Sequence, residues 1–270
     1  MKKKVFIAAA LMAMLGGAAM AQGTFTIKLG GGFPMGDFAD AKANSNNGDI
    51  RWGLIDKKTD GGAGLGFNAG FEYNIPVSNI NGLGVVISVD AFYNGLNEDL
   101  NDYFTDFKEE LDDDYDSWSL STPTYLNFPI MVGAKYDLPL TSGISLYAAG
   151  AAGVNIRMIT PREVVREGYI EVYDEDYGYY LGTAKAERSD SWEYDMAVSF
   201  GFRLAAGVTF AEKYSVELGY YNLGAGKVKG EVKETIEFAD GSYQDQSYKD
   251  KFTLKSITPS LFTLRLGIAF

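Results

Sequence analysis

The stretch that decides the fold is YDMAVSFGFRLAAGVT, residues 194–209. Apolar side chains occupy every second position of this stretch, and polar or small residues such as Asp195, Ser199, Gly201 and Arg203 fill the positions between them. Successive side chains of a β-strand point to opposite faces, so this period of two predicts one long strand with an apolar face and a polar face.

The same period occurs in seven more stretches, each about ten residues long. The apolar positions of the eight stretches begin at Phe25, Leu65, Val85, Leu126, Ile144, Tyr194, Tyr214 and Phe262. The sequence therefore predicts eight strands, an even number. After residue 22 no run of 18 apolar residues predicts a membrane-spanning helix.

The connections between these strands alternate in length. Long polar connections cover residues 34–61, 95–123, 159–192 and 223–255, and short ones cover residues 75–82, 138–143 and 211–213. Outer-membrane barrels have short periplasmic turns at one end and long extracellular loops at the other. We therefore predict an all-β fold, an eight-stranded antiparallel up-and-down transmembrane β-barrel with long extracellular loops.

The N-terminal residues 1–21 have the features of a cleaved secretory signal peptide. Lys2, Lys3 and Lys4 precede an apolar stretch that ends in the small-residue motif Ala19-Met20-Ala21. Cleavage would leave residues 22–270 as the outer-membrane barrel and would change the net charge from −12 to −15. This segment predicts export to the bacterial outer membrane.

The composition excludes several classes of function. The 270 residues contain no Cys and no His, which removes thiol nucleophiles, Ser-His pairs and the usual zinc ligands. A net charge of −12 argues against a nucleic-acid partner, because there is no basic surplus to neutralise phosphates. We expect no catalytic, cofactor-binding or metal-binding residues, and no enzymatic activity.

The polar face of the predicted strands carries five basic and five acidic side chains. Eight strands close around an interior that side chains can fill, so we expect these residues to pair there. The candidates for ion pairs in the lumen are Lys28, Glu72, Asp90, Lys135, Asp137, Arg157, Asp195, Arg203, Glu217 and Arg265.

The second long connection is strongly acidic. Residues 97–118 contain ten carboxylates and one basic residue, and Leu100, Phe104, Phe107 and Leu111 have the spacing of a short amphipathic helix. Asp112, Asp114 and Asp116 alternate as in a calcium loop, but Ser117 replaces the required Gly, and no Glu closes the loop. We expect a solvated acidic loop that attracts divalent ions loosely.

The third long connection is rich in tyrosine. Five tyrosines surround Asp176 and Gly178, which predicts a β-hairpin that rises above the membrane. Tyrosine rings give large contact areas at low entropic cost, so the hairpin suits contact with sugars or proteins, although it can also pack on itself. The possible contact residues are Tyr169, Tyr173, Tyr177, Tyr179 and Tyr180. The fourth connection, with Asp240-Gly241 as its turn, is expected to extend the last two strands in the same way.

Several motifs resemble those of bacterial outer-membrane β-barrel domains of the Bacteroidetes type. LRLGIAF, residues 264–270, resembles the C-terminal signal of outer-membrane proteins, and YLNFPI, residues 125–130, and VELGY, residues 216–220, are similar to strand motifs of that family. The overall plan resembles the small OmpA and OmpX barrels. The resemblance implies outer-membrane lipid and lipopolysaccharide as surroundings, and recognition of the C-terminal Phe270 strand by the barrel-assembly machinery.

Two classes of function stay open at this point. In the first, the chain is a non-enzymatic surface protein whose barrel anchors acidic and tyrosine-rich loops for contact at the cell surface. In the second, it is a porin-like channel for small solutes. The partner of the loops is not specified by the residues.

Overall fold

The computed structural model describes residues 23–43, 50–51, 61–173, 178–239, 241, 243–254 and 256–270. The signal-peptide prediction and Tyr177 lie outside the described residues, as does Asp240 of the predicted turn. The strands are β1 (Thr24–Met35), β2 (Lys42–Ala43), β3 (Ile50–Arg51), β4 (Ala63–Pro76), β5 (Leu83–Leu96), β6 (Ser117–Ser121), β7 (Tyr125–Thr141), β8 (Ile144–Ile159), β9 (Arg162–Tyr173), β10 (Tyr180–Tyr194), β11 (Ala197–Phe210), β12 (Tyr214–Asn222), β13 (Lys229–Phe238), β14 (Gln246–Thr253) and β15 (Ser260–Ala269).

Eight of these strands close into a barrel in the order β1-β15-β12-β11-β8-β7-β5-β4. Every neighbouring pair is antiparallel, and β1 closes the barrel by pairing with β15 from Thr26↔Ala269 to Met35↔Ser260. Closure leaves no unpaired sheet edge, because each barrel strand has a hydrogen-bonded neighbour on both sides. The prediction of an eight-stranded antiparallel up-and-down barrel is confirmed.

The two ends of the barrel differ. Residues 77–82, 142–143 and 211–213 form three short turns at the end where Thr24 and Phe270 also lie, which we call the short-turn end. The longer segments between barrel strands all leave from the opposite end, the long-connection end. The alternation of connection lengths in the sequence thus corresponds to two distinct ends of the barrel.

A second sheet stands at the long-connection end. It has five strands in the order β14-β13-β10-β9-β6, and it contains both hairpins predicted for the third and fourth connections. We expected the fourth connection to extend β12 and β15, and this expectation was wrong. β13 pairs with β10 instead, from Ala186↔Phe238 to Tyr194↔Gly230, and β14 pairs with β13.

The acidic connection forms the predicted helix, α1 (Glu98–Asp114). Asn97 caps its N-terminus, where the side-chain Oδ1 accepts a hydrogen bond of 3.1 Å from the amide of Leu100. Leu100, Phe104 and Leu111 are buried on one face of the helix. Within the described residues, no helix is long and apolar enough to cross a membrane.

An apolar cap closes the barrel interior at the long-connection end. Phe38, in the 3₁₀ turn Gly36–Phe38, packs edge-on against Tyr125 of β7 with ring centroids 5.2 Å apart. Side chains from two further connections join this core and meet the inward-facing residues of the barrel: Leu100, Phe104, Val228, Leu254 and Ile257 from the connections, and Phe92, Tyr221 and Leu261 from the strands. The cap therefore fills the end of the barrel from which the second sheet rises.

The outer surface of the barrel is apolar. Exposed large hydrophobic side chains occur on every barrel strand, among them Leu29, Phe67, Phe71, Val85, Val132, Val154, Phe200, Leu204, Leu218, Leu264 and Leu266. Monomeric soluble proteins rarely expose apolar patches larger than a few hundred Å². This distribution, with charge inside and hydrocarbon outside, is the reverse of that in a water-soluble barrel.

Candidate functional site

The barrel interior holds a network of six charged side chains, which we call the lumen network. Every second residue of a barrel strand points inward, and the network takes one such residue from each of six strands. Its members are Lys28 on β1, Glu72 on β4, Asp90 on β5, Arg203 on β11, Glu217 on β12 and Arg265 on β15. None is more than 2% exposed. All six were expected in the lumen from the sequence.

Lys28 joins two carboxylates from opposite directions. Its Nζ lies 2.7 Å from Oε2 of Glu72 and 2.6 Å from Oε2 of Glu217. β4 and β12 are not neighbours in the sheet, so the contact is made through the interior. Lys28 therefore connects β4 with β12, two strands that share no backbone hydrogen bonds.

The two arginines complete the network. Arg265 donates from Nη1 to Oδ1 of Asp90 at 2.6 Å and from Nε to Oε1 of Glu217 at 2.9 Å, and its Nη2 also bonds Glu217. Arg203 pairs with Glu72, and its Nη1 lies 3.7 Å from Oδ2 of Asp90. Each carboxylate of the network thus has at least two cationic partners.

Two tyrosines that the sequence analysis did not select belong to the same network. Tyr147 donates its hydroxyl to Oε2 of Glu217 at 2.9 Å, and Tyr221 donates its hydroxyl to Oδ2 of Asp90 at 3.1 Å. The Tyr221 ring also lies 5.4 Å from the guanidinium of Arg265, within the range of a cation–π contact. Strand parity could have found both, because Tyr221 alternates in phase with Glu217, and Tyr147 in phase with Arg157.

The network is electrically balanced, with three cations and three carboxylates. Removing charges from water costs several kcal/mol per ion unless excellent geometry and hydrogen bonds compensate, and the contacts above supply both. Glycines on the neighbouring strands make the room: a Cβ at Gly70 would overlap the Asp90 carboxylate, and one at Gly30 would crowd the Arg265 side chain. The arrangement is suited to filling and locking the barrel interior.

Lys135 and Asp137 lie inside the barrel wall but outside the network. They pair with each other at 3.1 Å near the short-turn end, and the Lys135 Nζ lies 4.4 Å from the centroid of the Tyr147 ring. Both line a small polar cavity of about 180 Å³ that has Lys28 and Glu72 among its other lining residues. This pair occupies the mouth of the barrel, below the network.

Arg157 is buried but joins no carboxylate of the network. Its Nη2 donates to the carbonyl of Gly224 at 3.2 Å, and it lies opposite Asn127 in the β7–β8 register. Asn127 accepts a hydrogen bond of 3.0 Å from Asn155 Nδ2. Arg157 therefore belongs to a polar layer of the interior that is separate from the network.

The expectation for Asp195 was wrong. Asp195 is exposed and lies between the end of β10 at Tyr194 and the start of β11 at Ala197. Its amide donates to the carbonyl of Lys229 at 2.8 Å, so the chain passes here from the second sheet to the barrel. The period of two in residues 194–209 runs across this junction, and for that reason the sequence assigned Asp195 to the barrel strand.

The acidic side chains near the second sheet make specific contacts. Asp112 accepts a hydrogen bond of 2.7 Å from Nε1 of Trp118, and Lys185 Nζ lies 3.4 Å from Asp116 and 3.0 Å from Glu167. The hydrogen bond from Lys185 holds the pKa of Glu167 below its ordinary value, with a further contribution from Ser117. Among the described residues, no group of three or more acidic side chains is arranged to hold a metal ion.

The tyrosines of the β9–β10 hairpin are exposed. Tyr169, Tyr173, Tyr179 and Tyr180 all present large areas to the surroundings, and the rings of Tyr173 and Tyr180 meet with centroids 5.7 Å apart. Tyr173 donates its hydroxyl to Glu171 at 2.6 Å. The hairpin therefore packs partly on itself and still leaves tyrosine surface accessible.

Comparisons with known proteins find similarity only among solved structures. No protein-family model matches the chain, and no curated protein matches it. The attachment invasion locus protein Ail of Yersinia pestis is 12% identical, with 92% of this chain and 99% of that chain covered and a TM-score of 0.34. Neisserial surface protein A is 12% identical over 91% and 97% with a TM-score of 0.36, and the outer membrane protein OprG from Pseudomonas aeruginosa is 11% identical over 92% and 96% with a TM-score of 0.44. At these identities, function has to be argued from the residues of this chain.

Proposed function

We propose that this chain is an outer-membrane barrel that anchors the second sheet and α1 at the cell surface for contact with other molecules. The apolar outer surface of the barrel, combined with the balanced charges inside it, is the observation that carries the proposal. In a bilayer, hydrocarbon surrounds the outward-facing side chains, and a closed barrel pairs every backbone group internally. The same surface in water would expose a continuous apolar belt.

The filled interior favours an anchor over a porin-like channel. A solute crossing the barrel would have to pass the lumen network, whose six side chains are almost fully buried, and then the apolar cap at the long-connection end. Eight strands enclose an interior just wide enough for side chains to fill. Lys28 and Glu72 of the lumen network line the small cavity at the short-turn end.

The surroundings of the barrel follow from this proposal. Outer-membrane lipid and lipopolysaccharide contact the apolar belt, and export requires the signal peptide of residues 1–21. β15 ends in the outward-facing sequence Leu264, Leu266 and Ile268 followed by the exposed Phe270, which suits recognition by the barrel-assembly machinery. The role is non-enzymatic, with the second sheet as the contact surface.

Site-directed labelling tests the orientation in intact cells. The chain has no Cys, so single substitutions Lys108→Cys in α1 and Lys213→Cys in the β11–β12 turn give unique sites at opposite ends of the barrel. Both native lysines are exposed. A membrane-impermeant maleimide should label Lys108→Cys in intact cells, and Lys213→Cys only after the outer membrane is opened. The reverse pattern, or equal labelling in intact cells, would contradict the proposal.

A further inference from the structure

A groove lies on the second sheet at the end farthest from the barrel, and residues 243–248 form part of its lining. We call it the sheet groove; its volume is about 700 Å³, and its lining includes Val172, Tyr173, Ile236, Tyr243, Gln244 and Tyr248. Sites for small ligands have volumes of about 300–1,000 Å³. The groove is therefore large enough for a ligand of several rings.

The floor of the sheet groove is a packed apolar layer. Val172 is buried with Ala184, Ala186 and Phe238, and Ile236 and Tyr243 pack against this cluster. The rings of Tyr243 and Phe238 lie 5.4 Å apart, and the Phe238 amide donates to Oδ1 of Asp245 at 3.0 Å. These contacts hold Tyr243 and Asp245, which line the groove, against the packed layer.

The walls of the sheet groove combine aromatic rings with hydrogen-bonding groups. Tyr248 of β14 is more than half exposed, Gln244 is exposed, and both line the groove. A tyrosine presents an apolar ring face and a polar tip, and a glutamine amide both donates and accepts hydrogen bonds. Sugars match this lining, because a pyranose has an apolar face of C–H groups and a rim of hydroxyls.

The charges at the sheet groove select against anionic ligands. Arg188 stands on the adjoining strand β10 and is already paired with Glu234 at 2.7 Å. The carboxylates of Glu234 and Asp245 both line the groove. A sulfated or uronic-acid sugar would meet these carboxylates without a free cation from the lining, whereas a neutral sugar would find acceptors for its hydroxyls.

A second protein strand is a poorer occupant than a sugar. A strand would add to the open edge of β14, but Lys249 and Lys251 stand on that edge strand, and charged edge strands discourage pairing with another chain. The groove itself is a single concavity lined by side chains, which fits a compact ligand.

We propose that the sheet groove binds a neutral oligosaccharide by stacking a pyranose ring on Tyr248 while Gln244 and the nearby carboxylates bind its hydroxyls. This inference rests on the proposed surface role, which places the groove outside the cell. The recognition itself needs only the folded second sheet, so binding can be measured on the whole refolded chain without reference to orientation.

The test is titration of the whole chain, refolded in detergent, with maltopentaose, tetra-N-acetylchitotetraose and a sulfated heparin tetrasaccharide, followed by calorimetry. We expect saturable binding of a neutral probe and weaker or no binding of the sulfated one. Tyr248→Ala should weaken binding about tenfold, which corresponds to about 1.4 kcal/mol, because the pyranose loses the ring on which it stacks. Tyr248→Phe, which keeps the ring, should retain most of the affinity.

Tyr169→Ala is the matched control, because Tyr169 is an exposed tyrosine of the same sheet that does not line the groove. The Tyr169→Ala variant should bind the neutral probe with the same affinity as the unmodified chain. Absence of binding to both neutral probes at about 10 mM, stronger binding of the sulfated probe, or equal losses in Tyr248→Ala and Tyr169→Ala would overturn the inference. A failed sugar titration would not change the result of the labelling test, which concerns the surface anchor. Inverted labelling would contradict the surface anchor and would not change the sugar titration.

Discussion

Arg265 Nη1 lies 2.6 Å from Asp90 Oδ1, although β1 and β4 separate their strands, β15 and β5, in the barrel wall. A direct ion pair across three strand steps requires a narrow interior in which side chains replace water. The same arginine also binds Glu217 of β12, its neighbour on the other side. The barrel is therefore held together by its charged interior as well as by its backbone ladder.

Replacing Arg265 with alanine should destabilise the barrel strongly. The substitution leaves Asp90 and Glu217 short of a cationic partner in a buried place, and breaking a buried ion pair on one side costs about 3–5 kcal/mol. Urea unfolding of the refolded barrel measures the change. Lys249→Ala is the control, because Lys249 pairs with Glu231 at 2.7 Å on the exposed face of the second sheet, where such a pair contributes about 0–1 kcal/mol. Equal effects of the two substitutions would refute the role given to the network.

Tyr221→Phe should reduce stability through the loss of one hydroxyl. Tyr221 donates to Asp90 inside the barrel, so its removal leaves a buried carboxylate oxygen with fewer donors, at a cost of about 1–3 kcal/mol. Tyr220→Phe is the matched control, since the neighbouring side chain points to the other face of β12. Thermal unfolding of both variants in detergent gives the comparison. If Tyr221→Phe lowers the unfolding temperature no more than Tyr220→Phe does, the hydroxyl of Tyr221 does not contribute to the network.

A charged side chain on the outer surface of the barrel should destabilise the fold most near the middle of the membrane. Leu204 lies in the middle of β11 and is exposed, so Leu204→Arg should destabilise the barrel in phospholipid vesicles by about 2–4 kcal/mol. Tyr169→Arg, at an exposed position of the second sheet, should change stability by less than about 0.5 kcal/mol. Urea titration in vesicles measures both. If Leu204→Arg is tolerated as well as Tyr169→Arg, the belt does not face lipid.

Sequence patterns predicted the barrel because each barrel strand carries its own period of two. Parity along each strand also placed Lys28, Glu72 and Arg265 in the interior. Parity does not show where a strand ends, and Asp195 was therefore assigned to β11 although the chain changes sheet there. The second sheet joins β6, β9, β10, β13 and β14 from three connections, and such long-range pairing leaves no signal in any one of them. Tyr147 and Tyr221 were overlooked because an aromatic residue satisfies the apolar pattern whichever way it points.

The contacts of Glu167 on β9 with Lys185 on β10 and with Ser117 on β6 should depend on pH. The hydrogen bond from Lys185 lowers the pKa of Glu167 below 4.5, so this contribution is present above that value and is lost as the pH falls through the lowered pKa. The same bond raises the pKa of Lys185 above 10.5, so its contribution is present below that value and is lost as the pH rises through the raised pKa.

Hydrogen exchange of the amides of Ser117–Ser121, corrected for the intrinsic rate, measures this dependence. The protection of these amides from exchange should fall when the pH drops below the ordinary pKa of a glutamate side chain. Glu167→Gln keeps the size of the side chain and removes its titration, so this variant should show lower protection at neutral pH and little further change on acidification. An identical acid-induced loss in the variant and the unmodified chain would place the titrating group elsewhere.

Ion flux through the reconstituted barrel tests most directly the claim that the chain is a closed membrane anchor. The protein is inserted in phospholipid vesicles, and a mobility difference between unheated and boiled samples on SDS gels verifies its folding. Conductance is then recorded after fusion of these vesicles with a planar bilayer. We expect no steady conductance for the unmodified protein, because the lumen network and the apolar cap both close the barrel. A large, steady conductance of the unmodified protein would contradict the closed anchor and establish a pore.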